Sequence, residues 1–196
     1  GVAVVARSGS SLGSWQWQRI VRNMFPLLVV LSGIVLIAGI TLEDAEELLN
    51  EYGLLAVMVP TMVGMGGNLG AILSARLSTR FHLGMTELDP RDRDLWANIL
   101  AILALAATVF TAQAVGAYII GFFIGSSLGL GTLLFISLVS GMSLAVIAIV
   151  FSFAATYVSY QLGIDPDDTT IPIVTNVVDV FGMIIFIGVS GLVLGF

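Results

Sequence analysis

Residues 169–196 read TTIPIVTNVVDVFGMIIFIGVSGLVLGF, 28 residues in which Asp179 is the sole charged side chain. A helix needs about 20 apolar residues to cross the hydrocarbon core of a bilayer, where every backbone polar group must be bonded internally. This stretch is long enough, and the chain holds more like it. Arg22 to Glu43 encloses 20 uncharged residues, Glu51 to Arg76 encloses 24, and Asp94 to Asp165 encloses 70. Seventy are too many for one helix and suit two. The Gly-rich run Gly125-Ser126-Ser127-Leu128-Gly129-Leu130-Gly131 is the turn between them.

The charge punctuation therefore predicts an all-α integral membrane fold with five transmembrane helices. Their predicted extents are about 24–42, 53–77, 95–122, 131–162 and 170–195. The fourth exceeds a perpendicular span, so it tilts or projects into water. Asp168 or Thr169 is placed to cap the last helix, with Pro172 in its first turn. A transmembrane barrel would need segments of about ten residues with alternating polarity, and these runs are continuous. Residues 1–22 form a cytoplasmic segment, and 23–196 a single pore domain. Residues 1–23 lack the apolar core of a cleavable signal peptide. Trp15-Gln16-Trp17-Gln18-Arg19-Ile20 reads as an interfacial anchor with its indoles at headgroup depth, or as a short amphipathic helix coupled to a gate.

Composition agrees. The 196 residues are 58% hydrophobic and 10% charged, with mean hydropathy +1.05. About a quarter charged is usual for a soluble domain, so a water-soluble globular protein is excluded. A net charge of −6 leaves no basic surface for phosphates, which excludes nucleic acid as a partner. With no Cys there is no disulfide, thiolate metal site or cysteine nucleophile. The lone histidine, His82, excludes any site built from two histidines of one chain.

The charges also orient the chain. They divide as +3 before the first span, −5 in the next loop, 0 in the Arg-rich loop, −3 before the last span and −1 at Asp179. Arg7, Arg19, Arg22, Arg76, Arg80, Arg91 and Arg93 all fall on one side of a five-helix arrangement. The positive-inside rule places that side, with the N-terminus, in the cytoplasm and the C-terminus outside. So strong a bias makes any dimer parallel, with its two-fold axis along the membrane normal.

Asp179 stands roughly 12–14 Å into the last span, near the bilayer midplane. A carboxylate there is costly unless solvated or paired, and no Arg, Lys or His lies in the interior of a span, Arg76 standing at the end of the second. It either faces a cation or a water-filled path, or is a neutral acid bonded across helices. Pro172, Thr175, Asn176, Asp179, Gly182 and Met183 share its helix face at i, i+3 and i+4 spacing. The oxygens on that face are hard ligands, suited to Mg²⁺, Ca²⁺ or Mn²⁺.

The second span holds Pro60-Thr61-Met62-Val63-Gly64-Met65-Gly66-Gly67-Asn68-Leu69-Gly70-Ala71. Gly64, Gly67, Asn68, Ala71 and Ala75 are assigned to one face. Two readings stand: close helix packing on small residues, or a local break at Gly66-Gly67-Asn68 that exposes carbonyls to a cavity. Ser137, Ser140, Gly141 and Ser143 read as packing. Glu43, Asp44, Glu46, Glu47 and Glu51 form a solvated loop or a vestibule that concentrates cations. Asp165-Pro166-Asp167-Asp168 either caps the last helix or adds a cation site at the pore mouth.

Two segments together resemble the eukaryotic solute carrier 41 family and the bacterial magnesium transporter E (MgtE) family. The first is Gly67-Asn68-Leu69-Gly70 followed by Ser74-Ala75-Arg76-Leu77-Ser78-Thr79, within Pro60 to Gly84. The second runs from Asp165-Pro166-Asp167-Asp168 through Ile171-Pro172-Ile173-Val174-Thr175 to Asp179 and Gly182. The wording is closer to solute carrier 41. Bacterial members often carry a Gln shortly after the Gly-Asn pair, where this chain has Ile72 or Leu73.

The resemblance implies a Mg²⁺ pore made of two five-helix units. Solute carrier 41 proteins carry two units, and the one here implies a homodimer. The family aspartate matching Asp179 binds hydrated Mg²⁺, and the Thr175 position contributes nearby. Joined to the faces read above, the expected metal site is Asp179, Thr175, Asn176, Asn68 and Gly67, with Asp165, Asp168 and Pro172 as further candidates. Gating by the cytosolic domains of the bacterial family does not carry over. Mg²⁺ gives up water reluctantly, so a wide, oxygen-lined site holds it through its hydration shell. Two Asp179 carboxylates at a dimer axis would repel, and a divalent cation between them relieves this.

The expected function is passage of Mg²⁺ across the inner (plasma) membrane of a prokaryotic cell. The expected partners are a second copy, lipid and divalent cations. Mg²⁺ is cargo, no organic cofactor is expected, and the chain is not expected to be an enzyme. Alternatives are a Na⁺- or H⁺-coupled carrier using Asp179, and a membrane enzyme on lipid phosphates using Asp165, Asp167 and Asp168 with Arg76 and Arg80. A structural subunit is the third alternative.

Overall fold

The computed structural model describes residues 5–83, 92–162 and 166–196; the side chains of residues 5–20, 23, 37, 81 and 166–168 lie outside that description. Among the described residues six helices follow one another: α1 (Val5–Asp44), α2 (Glu46–Glu51), α3 (Gly53–His82), α4 (Arg93–Ile124), α5 (Leu130–Gln161) and α6 (Pro166–Leu194). Those residues hold no strand. Five stretches among them are long and apolar enough to cross a membrane: Met24–Asp44, Gly53–Arg80, Arg93–Ile124, Leu130–Gln161 and Thr169–Leu194. Each overlaps a span expected from the charge pattern.

The ends of these helices have local causes. Gly125 closes α4 with φ 73°, a left-handed conformation open to glycine at little cost. The Ser126 backbone N–H then donates to Gly121 O at 2.8 Å. Asp92 starts α4 by accepting from the Asp94 N–H at 2.9 Å. α2 is a short helix between α1 and α3 that buries Leu48 and exposes Glu46, Glu47 and Glu51. α1 is continuous from Val5 through Pro26 to Asp44. At 1.5 Å per residue it is about 60 Å long, twice the hydrocarbon thickness. The Trp15 to Ile20 stretch belongs to this helix, with its side chains outside the description.

α6 is the centre of the bundle. It packs against α5, α3 and α1, and α5 also packs against α4 and α3. Leu54, Leu55, Met58, Met62, Phe110, Leu133, Ile136, Leu144, Val174, Val178 and Phe186 are buried between them. Lipid tails are as apolar as these side chains, so close van der Waals fit drives the packing. Gly141 shows the fit: a Cβ there would lie 2.2 Å from the Phe110 ring. α1, by contrast, is largely exposed along its span, with Leu31 and Ala38 its buried residues.

One alternative is decided and one expectation is corrected. α3 runs unbroken through Gly66-Gly67-Asn68, so of the two readings of this segment the structure shows helix packing on small residues and not the local break. Its close packing on α5 and α6 holds as helix what glycine's weak propensity alone would not. α6 starts at Pro166, so Thr169 is inside the helix and Pro172 is an interior proline. The reason is that proline's fixed φ favours the first helical position, which Pro166 takes.

Candidate functional site

The face of α6 that carries Asp179 lies against the glycines of α3. A Cβ built on Gly67 would meet Asp179 Oδ1 at 3.2 Å and Thr175 Cγ2 at 3.4 Å. One built on Gly70 would meet Val174 Cγ1 at 2.6 Å, and one on Gly66 would meet Val178 Cγ1 at 2.9 Å. Residue number rises along α3 as it falls along α6, so the two helices are antiparallel. Three glycines without side chains let them approach this closely. The Asp179 carboxylate thus rests on the Gly67 backbone, partly buried.

The neighbouring polar groups turn their donors inward. Thr175 Oγ1 donates to Ile171 O at 2.6 Å, with Pro172 O 3.2 Å away. Asn176 Nδ2 donates to Pro172 O at 2.7 Å. The Thr175 hydroxyl hydrogen and one of the two Asn176 amide hydrogens are spent on the carbonyls of α6 itself, and the Thr175 hydroxyl and Asn176 amide oxygens remain as acceptors. With the Asp179 carboxylate they make a set of oxygens one turn apart. Asp179 has no hydrogen bond or ion pair with any described residue. No cluster of three His, Cys, Asp or Glu occurs among the described residues, so any cation here is held by one carboxylate per chain.

The structure groups some of the expected residues and separates others. Gly67, Thr175 and Asp179 converge, with Asn176 alongside Thr175 on α6. Asn68 is exposed on the flank of α3, as is Gly64, whose surroundings are open in a single chain. The expected stripe of Gly64, Gly67, Asn68, Ala71 and Ala75 is therefore divided: Gly66, Gly67 and Gly70 face α6, whereas Gly64, Asn68 and Ala75 face out. Pro172 sits one turn before Asn176, toward the Pro166 end of α6. Asp165 lies outside the described residues, and Asp168 is in α6 with its side chain outside them.

The arginines expected to assist a lipid-phosphate enzyme are engaged elsewhere. Arg80 forms an ion pair with Asp92, and Arg76 Nη1 donates to Asn98 Oδ1 at 3.0 Å. Both ties hold the end of α3 against the start of α4. The Asp92 carboxyl is held below the ordinary aspartate range, first by the Asp94 N–H and then by the Arg80 guanidinium.

Sequence reasoning missed Gln113. It is a single polar residue in an Ala-rich helix, yet it is buried between α3, α4 and α5. A lone amide with no polar neighbours at helical spacing gives no local sign of a distant partner. It also missed a buried serine pair: Ser74 Oγ donates to Ser152 Oγ at 3.1 Å, and Ser152 Oγ lies 3.3 Å from Gly70 O.

The model of the MgtE family, described as a divalent cation transporter, matches residues 59–189 of this chain. That is about two thirds of its length, and it takes in the Gly67 and Asp179 faces together. The chain belongs to the MgtE family. The match starts in α3 and ends in α6, so the MgtE region holds the glycine face, the carboxylate and the buried Gln113. Two curated relatives are similar over much the same extent. Solute carrier family 41 member 3 of Mus musculus is 28% identical over 147 residues, 68% of this chain and 30% of that protein. Its counterpart in Rattus norvegicus is 28% identical over 142 residues, 65% of this chain and 31% of that protein. The chain spans about a third of the length of the curated relatives it matches.

Proposed function

We propose that this chain is one half of a homodimeric pore that moves hydrated Mg²⁺ across a cell membrane. The observation that carries the proposal is the Asp179 carboxylate, held at mid-span against Gly67 beside the Thr175 and Asn176 oxygens. An ion pair could have accounted for a carboxylate at that depth, but Asp179 has no cationic partner among the described residues. A hydrated divalent cation supplies the missing charge, and its water shell needs acceptors of the kind Thr175 and Asn176 present. Membership of the MgtE family supports the cargo class, and the name of the solute carrier 41 relatives supports a transport role over an enzymatic one.

A second copy completes the pore. Asn68, Gly64 and the open side of Asp179 lie where a single chain would turn polar groups and bare backbone toward lipid. Covering them with a parallel partner builds a polar path between two Asp179 carboxylates. The segment 23–196 forms the pore unit, and residues 1–22 lie on the cytoplasmic side. In this reading the Arg-bearing side, with the N-terminus, is cytoplasmic and the C-terminus is outside, and the membrane is the inner or plasma membrane of a prokaryotic cell. Asp165 and Asp168, just ahead of the last span in the sequence, attract cations toward Pro172 and the site.

The test is Mg²⁺ flux in proteoliposomes holding the purified protein. Flux that follows the Mg²⁺ gradient and membrane potential alone supports a channel. Flux that requires an imposed Na⁺ or H⁺ gradient replaces the channel with a coupled carrier at the same carboxylate. No flux of any divalent cation contradicts both.

A further inference from the structure

Pro60 stands inside α3, two turns before Gly67. Its ring removes the N–H that would bond the carbonyl of Ala56, so α3 has lost a rung of its ladder there. The glycines that follow add little stiffness. Something other than the helix's own hydrogen bonds must fix the direction in which the Gly64–Gly70 segment leaves Pro60.

Gln113 of α4 is the side chain in place to do it. Its Nε2 donates to Met58 O at 3.2 Å and to Thr61 Oγ1 at 2.8 Å, so it grips α3 on both sides of Pro60. Thr61 Oγ1 in turn donates to Met58 O at 2.8 Å, which closes the grip. On its other edge, Gln113 Oε1 accepts from Ser137 Oγ of α5 at 3.4 Å, and the same hydroxyl lies 2.8 Å from Phe110 O. The amide thus ties the proline turn to two other helices. Packing holds one side of that turn, through buried Met58 and Met62, and leaves the other side open. A cavity of about 170 Å³ lies beside it, bounded by Thr61, Met65, Gln113 and Gly116 among others. Pro60 and Thr61 are exposed on their other side.

We propose that Gln113 is a positioning residue for the cation site: by bracing α3 across Pro60 it sets Gly67 against Asp179. It touches no ion and acts through Met58 and Thr61. The inference rests on the proposed role of Asp179. The clearance between Gly67 and the carboxylate is too small to tolerate a drifting α3, so loss of the brace alters how the site holds its cargo.

The experiment is Mg²⁺ uptake into proteoliposomes as a function of Mg²⁺ concentration, for wild type, Gln113→Leu, Thr61→Val, Thr61→Ser, the Gln113→Leu/Thr61→Val double variant and Asp179→Asn. Gln113→Leu keeps the volume and removes the hydrogen bonds. It is expected to raise the half-saturating Mg²⁺ concentration by about three- to thirty-fold, the usual range for coupling through a packed network. Thr61→Val shifts it in the same direction, Thr61→Ser restores the wild-type value, and the double variant is no worse than Gln113→Leu alone. Thr61 is exposed, so its variants carry the test should Gln113→Leu fail to fold. The proposal is overturned if the folded variants keep wild-type half-saturation, even with a lowered unfolding temperature, because the amide is then only a structural brace. If Asp179→Asn abolishes uptake in that case, the bracing role falls and the site stands. If Asp179→Asn leaves uptake intact, the site itself is wrong, and the bracing proposal falls with it.

Discussion

Gly67 of α3 and Asp179 of α6, 112 positions apart in sequence, meet so closely that a methyl group on the glycine would sit 3.2 Å from the carboxylate. That distance is tight for a carbon against an oxygen. It makes the glycine a size filter on the carboxylate at mid-span. Gly67→Ala should therefore retain the fold and weaken Mg²⁺ uptake severalfold, and Gly67→Val should abolish it. Uptake assays on protein that elutes as wild type by gel filtration check both.

The other close glycine predicts a different loss. A Cβ at Gly66 would lie 2.2 Å from Leu144 Cδ2, inside the α3–α5–α6 core. Gly66→Ala should destabilise the bundle by about 1–3 kcal/mol, the usual cost of overpacking. Gly188 has open space around its Cα, so Gly188→Ala should be neutral or slightly stabilising. Thermal unfolding in detergent separates the two.

Five spans were legible because charge is excluded from the hydrocarbon and so marks its edges. The residues proposed for the site stand out in the sequence for a related reason: a lone acid in an apolar helix is costly, and the polar residues one turn away mark its helix face. The meeting of Gly67 with Asp179 was not. Spacing along α3 places Gly64, Gly67 and Asn68 on a common stripe, and Gly67 lies at its edge. Which edge turns inward depends on the packing partner, a fact held by α6 and α5 rather than by α3. The alternative of a break at Gly66-Gly67-Asn68 falls for the same reason, since propensity describes an isolated helix and these glycines are covered by Leu144, Val178 and Thr175.

Thr156 and Thr170 carry buried hydroxyls with no hydrogen-bond partner among the described residues. An unbonded polar group in a low-dielectric interior costs about 1–3 kcal/mol. Thr156→Val and Thr170→Val keep the shape and remove the oxygen, so each should raise the unfolding temperature and leave Mg²⁺ uptake unchanged. A lowered unfolding temperature would show that the hydroxyl is bonded in the membrane-embedded protein.

Asp92 predicts a pH dependence. Its carboxyl is held below the ordinary range in the folded chain by the Asp94 N–H and by Arg80. A depressed folded value means the stabilisation is present above the ordinary aspartate range and is lost as pH falls through the depressed value. Asp92→Asn should lower the unfolding temperature at neutral pH, and the gap to wild type should close in strong acid. Melting curves across pH for the two proteins check the sign.

The central claim is that Asp179 holds the transported ion. The most direct measurement is Mg²⁺ uptake by proteoliposomes containing Asp179→Asn, a variant that keeps the side chain's shape and removes its charge. The account predicts that uptake falls to the level of protein-free liposomes while the variant elutes and melts as wild type does. Wild-type uptake by the well-folded Asn variant would contradict it.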